Sequence, residues 1–314
     1  MNFGTYAEEW LALKQIEVCH SQYVSYRCCL KHLQPIYPIE IGEVTVKDIQ
    51  AIITALAVCN PTTKKPTAKK TLRDVKMTAK QVFEYAIESR IVTYNPAVPV
   101  KIPKNAPKET RRALTDDEIG RIVSTPHQMQ TAGMIMLFSG LRRGEVIPLL
   151  WDDIDLVNGT IRVCKAVELI HNRPILKEPK TEAGNRIVQM PSVLISYLKN
   201  IEPKDGLVIS EKLLTEQMWK KRWASYVKAL DMEGVTAHMF RHTACTMMIE
   251  AGMDVSSVRL QMGHSDIQTT LAIYTHVTQK HRTNEVKKLD SYLKNSNKST
   301  TRKNSPLFPH SPMI

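Results

Sequence analysis

Between Asn95 and Lys108 the sequence sets four prolines, Pro96, Pro99, Pro103 and Pro107, among three lysines. Proline fixes φ near −65° and has no amide to donate, so neither a helix nor a central strand can run through such a stretch. The chain must fold as separate bodies on either side, and 314 residues leave each side enough length for a domain. On the N-terminal side apolar residues recur at helical spacing: Tyr6, Trp10, Leu13; Tyr23, Leu30, Leu33; Val46, Ile49, Ile53, Leu56; and Leu72, Val75, Ala79, Val82, Ala86. Pro35, Pro38 and Asn60-Pro61 separate these groups. Four amphipathic helices over residues 1–104 are expected, forming a small all-helical domain.

The second domain, expected over 105–293, opens on Thr115-Asp116-Asp117-Glu118, whose Thr and Glu can close a capping box on a new helix. After Trp151 the pattern changes to period two. Asn158-Gly159 predicts a type I′ hairpin between Ile154-Asp155-Leu156 and Ile161-Arg162-Val163. A further hairpin is expected around Glu182-Ala183-Gly184-Asn185, with Ile187 and Val188 on its return strand. Helices then resume: Trp219, Trp223, Tyr226, Val227 and Leu230 share a face, and His238 to Glu250 ends at Ala251-Gly252. Short helices entered at Asp254 and at Ser265 follow, then one over 278–293. The tail, 294–314, is rich in Ser, Asn, Pro and Lys and is expected to be disordered. The fold class is α+β, mainly α with a small β-sheet.

The balance of 43 Lys and Arg against 31 Asp and Glu gives a net charge of +12, which points to a polyanionic partner. Nucleic acid ranks above a membrane surface, because no long basic amphipathic helix or lipidation motif accompanies the charge. No apolar run reaches the roughly 18 to 20 residues that a spanning helix needs, and no basic-then-apolar leader opens the sequence, so a cytoplasmic protein is expected. The six cysteines form no C-x-x-C pair and no zinc-type cluster with histidine, and reduced, mostly buried thiols are expected.

Five short motifs concentrate cations around one tyrosine: Gly140-Leu141-Arg142-Arg143-Gly144-Glu145, Pro179-Lys180-Thr181, His238-Met239-Phe240-Arg241-His242, Gly263-His264 and Ile273-Tyr274-Thr275-His276. Any one of these strings arises by chance. Together, in this order, they resemble the signature boxes of the tyrosine recombinase, or phage integrase, family of site-specific DNA recombinases. The resemblance runs from the first helices to the last. It implies a helical core-binding (SAM-like) domain over 1–104 and a catalytic domain over 105–293, closing as a C-shaped clamp on DNA.

The chemistry of the residues agrees with the resemblance. Attack on a DNA phosphodiester builds charge on the two non-bridging oxygens, and a guanidinium offers them a planar fork of donors that stays charged. By resemblance Arg142 and Arg241 are these clamps. Glu145, three residues after Arg142, is expected to orient it. His238, Arg241 and His242 fall on one helical face. His at i and i+4 is also a zinc-ligand spacing, but the Glu beside the first His is missing and Arg241 between them would repel a cation. By resemblance His238 exchanges protons near the scissile phosphate, His264 donates to a non-bridging oxygen, and His242 packs or hydrogen-bonds. Tyr274, with an ordinary pKa near ~10, becomes a nucleophile only in a cationic pocket. Its attack would form a 3′-phosphotyrosyl link, and Lys180 would protonate the departing 5′-oxygen. The link stores the bond energy, so no ATP, metal or cofactor is expected.

Phosphate contacts are expected from Lys64, Lys65, Lys69, Lys70, Arg73, Lys76 and Lys80 of the first domain and from Arg143. The helices begin near Thr5, which leaves no room for the extra arm-binding domain of many phage integrases and suggests a simpler recombinase or a chain truncated at its start. The resemblance further implies double-stranded DNA with paired sites, a homotetramer assembled on it, and a directionality factor or a host DNA-bending protein as accessory partner. The biological role expected is integration or excision of a phage or mobile element. The alternatives are a Xer-like resolvase of chromosome or plasmid dimers and a catalytically silent DNA-binding relative.

Overall fold

In the computed structural model, which describes residues 1–107, 112–177, 184–201 and 205–275, every helix predicted for the N-terminal region forms. Lys180, His276, the helix expected over 278–293 and the tail 294–314 lie outside the described residues. Asn2 accepts the amide of Thr5 and opens α1 (Phe3–Glu17). Its buried stripe is Phe3, Tyr6, Ala7, Trp10 and Leu11. Leu13, expected on that stripe, is 40% exposed, because the 3-4-3-4 spacing turns it away from the core. The second helix, α2 (His20–His32), buries Cys29 and Leu30. A Thr45–Asp48 capping box starts α3 (Val46–Val58), which buries Ile49, Ile52, Ile53 and Leu56. The longest helix, α4 (Lys69–Glu88), buries Leu72, Val75, Ala79, Val82, Phe83 and Ala86 at helical spacing. Each fully buried Leu, Val or Phe contributes roughly 1.5–3 kcal/mol, and that burial holds the four helices together.

The chain divides into two compact units, Met1–Thr110 and Arg111–Ile314. The division lies beyond Lys104, because Val100 and Ala106 are buried in the first unit's core and the Lys69 amide donates to the Pro107 carbonyl.

In the second unit the Thr115–Glu118 capping box forms and starts α5 (Asp116–Ser124). Every residue of α6 (Gln130–Ser139) from Ala132 to Leu137 is buried, as expected of a helix that is apolar all round. Around it pack α5, the single turn α7 (Arg143–Val146), α8 (Ser192–Lys199) and α10 (Ala237–Glu250). The face predicted for α9 (Glu216–Ala229) supplies Trp219, Trp223 and Tyr226 to the same core. Asp254 caps α11 (Val255–Met262) through the amides of Ser256 and Ser257. Among the described residues no helix is long and apolar enough to cross a membrane.

The strands differ from expectation in three ways. First, β1 (Ile154–Asp155) and β2 (Thr160–Val163) pair with Asp155 opposite Thr160, so four residues make the loop instead of the two of a type I′ turn. The Asp155 carboxylate accepts from the amides of Val157 and Asn158 and from the Asn158 side chain, and this local network outcompetes the tight turn. Secondly, β5 (Arg186–Gln189), expected as the return strand of a hairpin, pairs antiparallel with β2, giving the order β1-β2-β5. The long hairpin is instead β3 (Ala166–Ile170) with β4 (Arg173–Lys177), turning on His171 and Asn172, both at positive φ. Thirdly, the helix expected to be capped by Ser265 is capped by Asp266, whose carboxylate accepts the Gln268 amide, and helical residues run over 267–275. The thiols also differ: Cys29 and Cys245 are buried, but Cys19, Cys28 and Cys59 are exposed, since Cys19 precedes α2, Cys28 lies on its outward face and Cys59 follows α3.

Candidate active site

A helix leaves its last carbonyls without intrahelical partners, and two helix C-termini meet where the second unit holds its arginines. Helix α6 ends at Gly140 (φ 72°) and α11 ends at Gly263 (φ 61°), both left-handed. Arg241, 3% exposed on α10, donates one NH to the Gly140 carbonyl and another to the Met262 carbonyl at 2.5 Å. Arg142 donates to the Gly263 carbonyl at 2.7 Å and to Glu145 Oε1 at 2.9 Å. The partial negative charge of two helix ends thus anchors both guanidiniums. Each has five N–H donors, two of which these bonds take, so both keep donors for an anion.

The glycines are required for this geometry. A Cβ on Gly140 would stand 2.5 Å from Met262 Sδ, and one on Gly263 would stand 2.8 Å from the Arg186 guanidinium carbon. We expect Gly140→Ala to destabilise the protein by about 2 kcal/mol or more, combining left-handed strain with displacement of Met262. Urea unfolding checks this, and an unchanged midpoint would refute it.

Among the described residues the carboxylate that pairs with these arginines is Glu145, which is 7% exposed. It accepts the Arg142 amide at 2.7 Å as well as the Arg142 side chain. It also takes both nitrogens of Arg186 at 3.0 Å, a bidentate pair that the sequence reading did not anticipate. Burial would raise the pKa of Glu145. The hydrogen bonds and charge of Arg186, then those of Arg142, outweigh it and hold the carboxyl below its ordinary value. Arg186 was detectable in principle. Residues i and i+2 of a strand share a face, so an inward Val188 on β5 turns Arg186 inward too, and a buried arginine needs a carboxylate.

Arg241 has its pKa pushed down to about 9, by burial first and then by the charge of Arg142, and it remains a cation at neutral pH. His264 follows Gly263, and its Nδ1 lies 2.8 Å from the hydroxyl of the buried Thr270. Burial first, then the charges of Arg241, Arg142, Arg186 and His238, push its pKa down to about 4. The imidazole is therefore neutral at pH 7, and one of its ring nitrogens can donate while the other accepts.

That depression has a definite sign in stability. Between about pH 4 and pH 6.5 the unfolded imidazole binds a proton that the folded one refuses, so stability falls as pH drops through this window. Above pH 6.5 the group contributes no pH dependence. We expect His264→Gln to remove up to roughly 2–3 kcal/mol of the stability difference between pH 7 and pH 4.5. Denaturant titrations of both proteins at the two pH values measure it, and parallel curves would refute the assignment.

His238, at the exposed start of α10, lines a cleft of about 710 Å³ together with Arg142, Arg143 and Arg241. His242 is half-buried one turn further on. Tyr274, half-buried on the helical stretch 267–275, packs on the small cluster of Cys245, Ile249, Val258 and Met262. Met262, whose carbonyl holds Arg241, belongs to that cluster. The structure brings Arg142, Glu145, His238, Arg241 and His264 together, adds Arg186, and sets Tyr274 on the adjoining cluster. Lys180 lies outside the described residues.

In the first unit Lys64, Lys65 and Arg73 are exposed. Lys70 pairs with Asp74 at 2.8 Å and Lys80 with Glu84 at 3.1 Å. Lys69 is half-buried. Lys76, expected among the phosphate contacts, has its ammonium committed to the carbonyls of Val98 and Val100 at 2.9 and 2.6 Å. These bonds tie the proline segment to α4.

Residues 112–281 match the family model described as the phage integrase family. The chain is 29% identical over 259 residues to a XerC-like tyrosine recombinase of Caldanaerobacter subterraneus subsp. tengcongensis, a match covering 71% of this chain and 66% of the relative. The chain thus spans just under two thirds of that relative's length. It is 28% identical over 233 residues to the tyrosine recombinase XerC of Chlamydia muridarum, covering 68% and 69%. It is 22% identical over 247 residues to the ICEBs1 integrase of Bacillus subtilis, covering 72% and 67%. In fold it is similar to the Tn1549 transposon integrase in complex with transposon right end DNA, with a TM-score of 0.73, 22% identity and coverage of 92% of this chain and 100% of that one. A lambda integrase dimer bound to a COC′ core site gives a TM-score of 0.63 at 16% identity, covering 87% and 77%.

Proposed function

The chain belongs to the phage integrase family of tyrosine recombinases, and from that premise we propose that it is a site-specific DNA recombinase that breaks and rejoins strands through Tyr274. The observation that carries the proposal is the pair of guanidiniums, Arg142 and Arg241, fixed by helix C-termini beside a neutral His264. Such an arrangement suits a phosphodiester better than a neutral substrate, because its donors are fixed before charge develops on the phosphoryl oxygens.

In the proposed reaction Tyr274 Oη attacks phosphorus. A phosphorus–tyrosyl bond forms, and the bond to the 5′-oxygen breaks. Arg142 and Arg241 donate to the non-bridging oxygens, and neutral His264 donates a third hydrogen bond there. His238 exchanges the tyrosine's proton, Lys180 delivers a proton to the leaving 5′-oxygen, and the 5′-hydroxyl of a partner strand reverses the step. Glu145 orients Arg142, and His242 supports the helix face. The exposed Lys64, Lys65 and Arg73, with Lys69, Lys70 and Arg143, are proposed to contact phosphates. Double-stranded DNA with paired sites is the substrate, with a homotetramer as the active assembly and a directionality or DNA-bending factor as accessory.

The role proposed is integration or excision of a mobile element, in keeping with the ICEBs1 integrase among the relatives. The XerC relatives favour a second reading, resolution of chromosome or plasmid dimers by the same chemistry. The test uses nicked duplexes built from the DNA flanking the gene and from a dimer-resolution site, incubated in chelator. We expect a denaturant-stable protein–DNA adduct. Which DNA yields it separates the two roles, and specific binding without any adduct would support the silent, binding-only relative instead.

A further inference from the structure

We propose that Arg186 is a positioning residue of the active site, acting through Glu145 to fix the guanidinium of Arg142. The inference rests on the recombinase reading for its consequence in catalysis but on the geometry alone for the contact. One carboxylate serves two arginines: Glu145 takes both terminal nitrogens of Arg186 and only one of Arg142. Arg142 spends its other terminal nitrogen on the Gly263 carbonyl. That split holds only while Arg186 occupies its share of the carboxylate. Without it, a buried carboxylate left with a single guanidinium has two outcomes. It draws Arg142 into a bidentate pair and off the Gly263 carbonyl, or it takes up a proton and weakens its hold. Both move Arg142.

A second contact points the same way. Arg186 Nε donates to the Gln261 carbonyl at 3.1 Å, and its guanidinium lies so close to Gly263 that a Cβ there would stand 2.8 Å from it. Arg186 therefore ties β5 to the carboxylate that Arg142 shares and to the end of α11 beside the Gly263 carbonyl that Arg142 uses. At 7% side-chain exposure, its bonds to Glu145 and Gln261 leave it little room to reach a substrate itself, which makes its action indirect.

The experiment compares Arg186→Met, Glu145→Gln, the double variant and Arg186→Lys in the full chain. Order of the Arg142 Nε–H is read by nitrogen-15 relaxation in the free protein. The rate of adduct formation is read on nicked duplexes from the DNA flanking the gene. We expect Arg186→Met to loosen Arg142 and slow adduct formation by about 100-fold, the scale of a roughly 1 Å misplacement, with DNA affinity little changed. Arg186→Lys, which keeps the charge and loses the fork, should fall between Met and wild type. The double variant should behave as Glu145→Gln alone, because both changes break one chain of contacts. The double variant also avoids an uncompensated buried carboxylate, so it reports even where Arg186→Met folds poorly. An Arg142 as ordered in Arg186→Met as in wild type would overturn the proposal, as would effects of Arg186→Met and Glu145→Gln that multiply. If wild type forms no adduct while Arg142 loosens as expected, the positioning role stands and the recombinase reading falls.

Discussion

Tyr274→Phe is expected to abolish the covalent protein–DNA adduct, a fall of at least about 10⁴-fold, while specific DNA binding persists. Tyr274 packs against the cluster of Cys245, Ile249, Val258 and Met262, and phenylalanine keeps the apolar ring that does so. Fold stability should therefore change by less than about 1 kcal/mol, which separates a lost nucleophile from a lost fold. The missing atom is the oxygen that would bond to phosphorus, and no other side chain replaces it in a tyrosyl mechanism. A phenol is a poor nucleophile at neutral pH, so the proposed mechanism needs the site's cations to assist the attack. Raising the pH should not rescue the variant, because it has no group left to ionise. The measurement is adduct formation under denaturing electrophoresis, with a binding shift as control. An adduct that survives in Tyr274→Phe would assign the nucleophile to another residue and remove the basis of the proposed mechanism.

How far the sequence reaches is clearest at individual residues. The four helices of the first unit were legible because apolar periodicity and proline breakers report the same boundaries, and the misplaced residue, Leu13, sits where the stripe had already turned away. The Thr115 and Asp254 caps were legible because a side chain within three residues satisfies the free amides. Strand pairing was not legible. Both Asn158-Gly159 and the His171-Asn172 turn depend on competition among local hydrogen bonds, and only β2 as a common neighbour decides where β5 docks. At the site, Arg142, Glu145, Arg241 and His264 stand within motifs, so resemblance carried them. What resemblance did not supply is how they are held. Helix ends brought together by the fold, at Gly140, Met262 and Gly263, are invisible in any single motif. Arg186 belongs to the same class of residue, read by its partner and not by its neighbours in sequence.

Arg241→Ala is the second change with a large expected effect, and it should act on stability and chemistry together. Arg241 is 3% exposed, and its guanidinium ties the carbonyl ending α6 to the carbonyl ending α11. Its removal leaves two buried acceptors unpaired, at roughly 1–3 kcal/mol each, and leaves Glu145 facing fewer cations. A loss of about 3–5 kcal/mol in unfolding free energy is therefore expected, the scale seen when one partner of a buried charged network is removed. Adduct formation should fall by about 10²–10³-fold beyond any loss from unfolding, the usual effect of removing one fixed donor to a developing oxyanion. Arg241→Lys separates the two roles. A lysine keeps the positive charge but offers a point donor in place of a fork, so it can hold one carbonyl or the phosphate and not both. We expect it to recover more of the stability than of the cleavage rate. Urea unfolding and single-turnover adduct formation, measured on the same preparations, provide the comparison. If Arg241→Lys were as active as wild type, charge alone would suffice, and the fixed fork between two helix ends would not be what the chemistry requires.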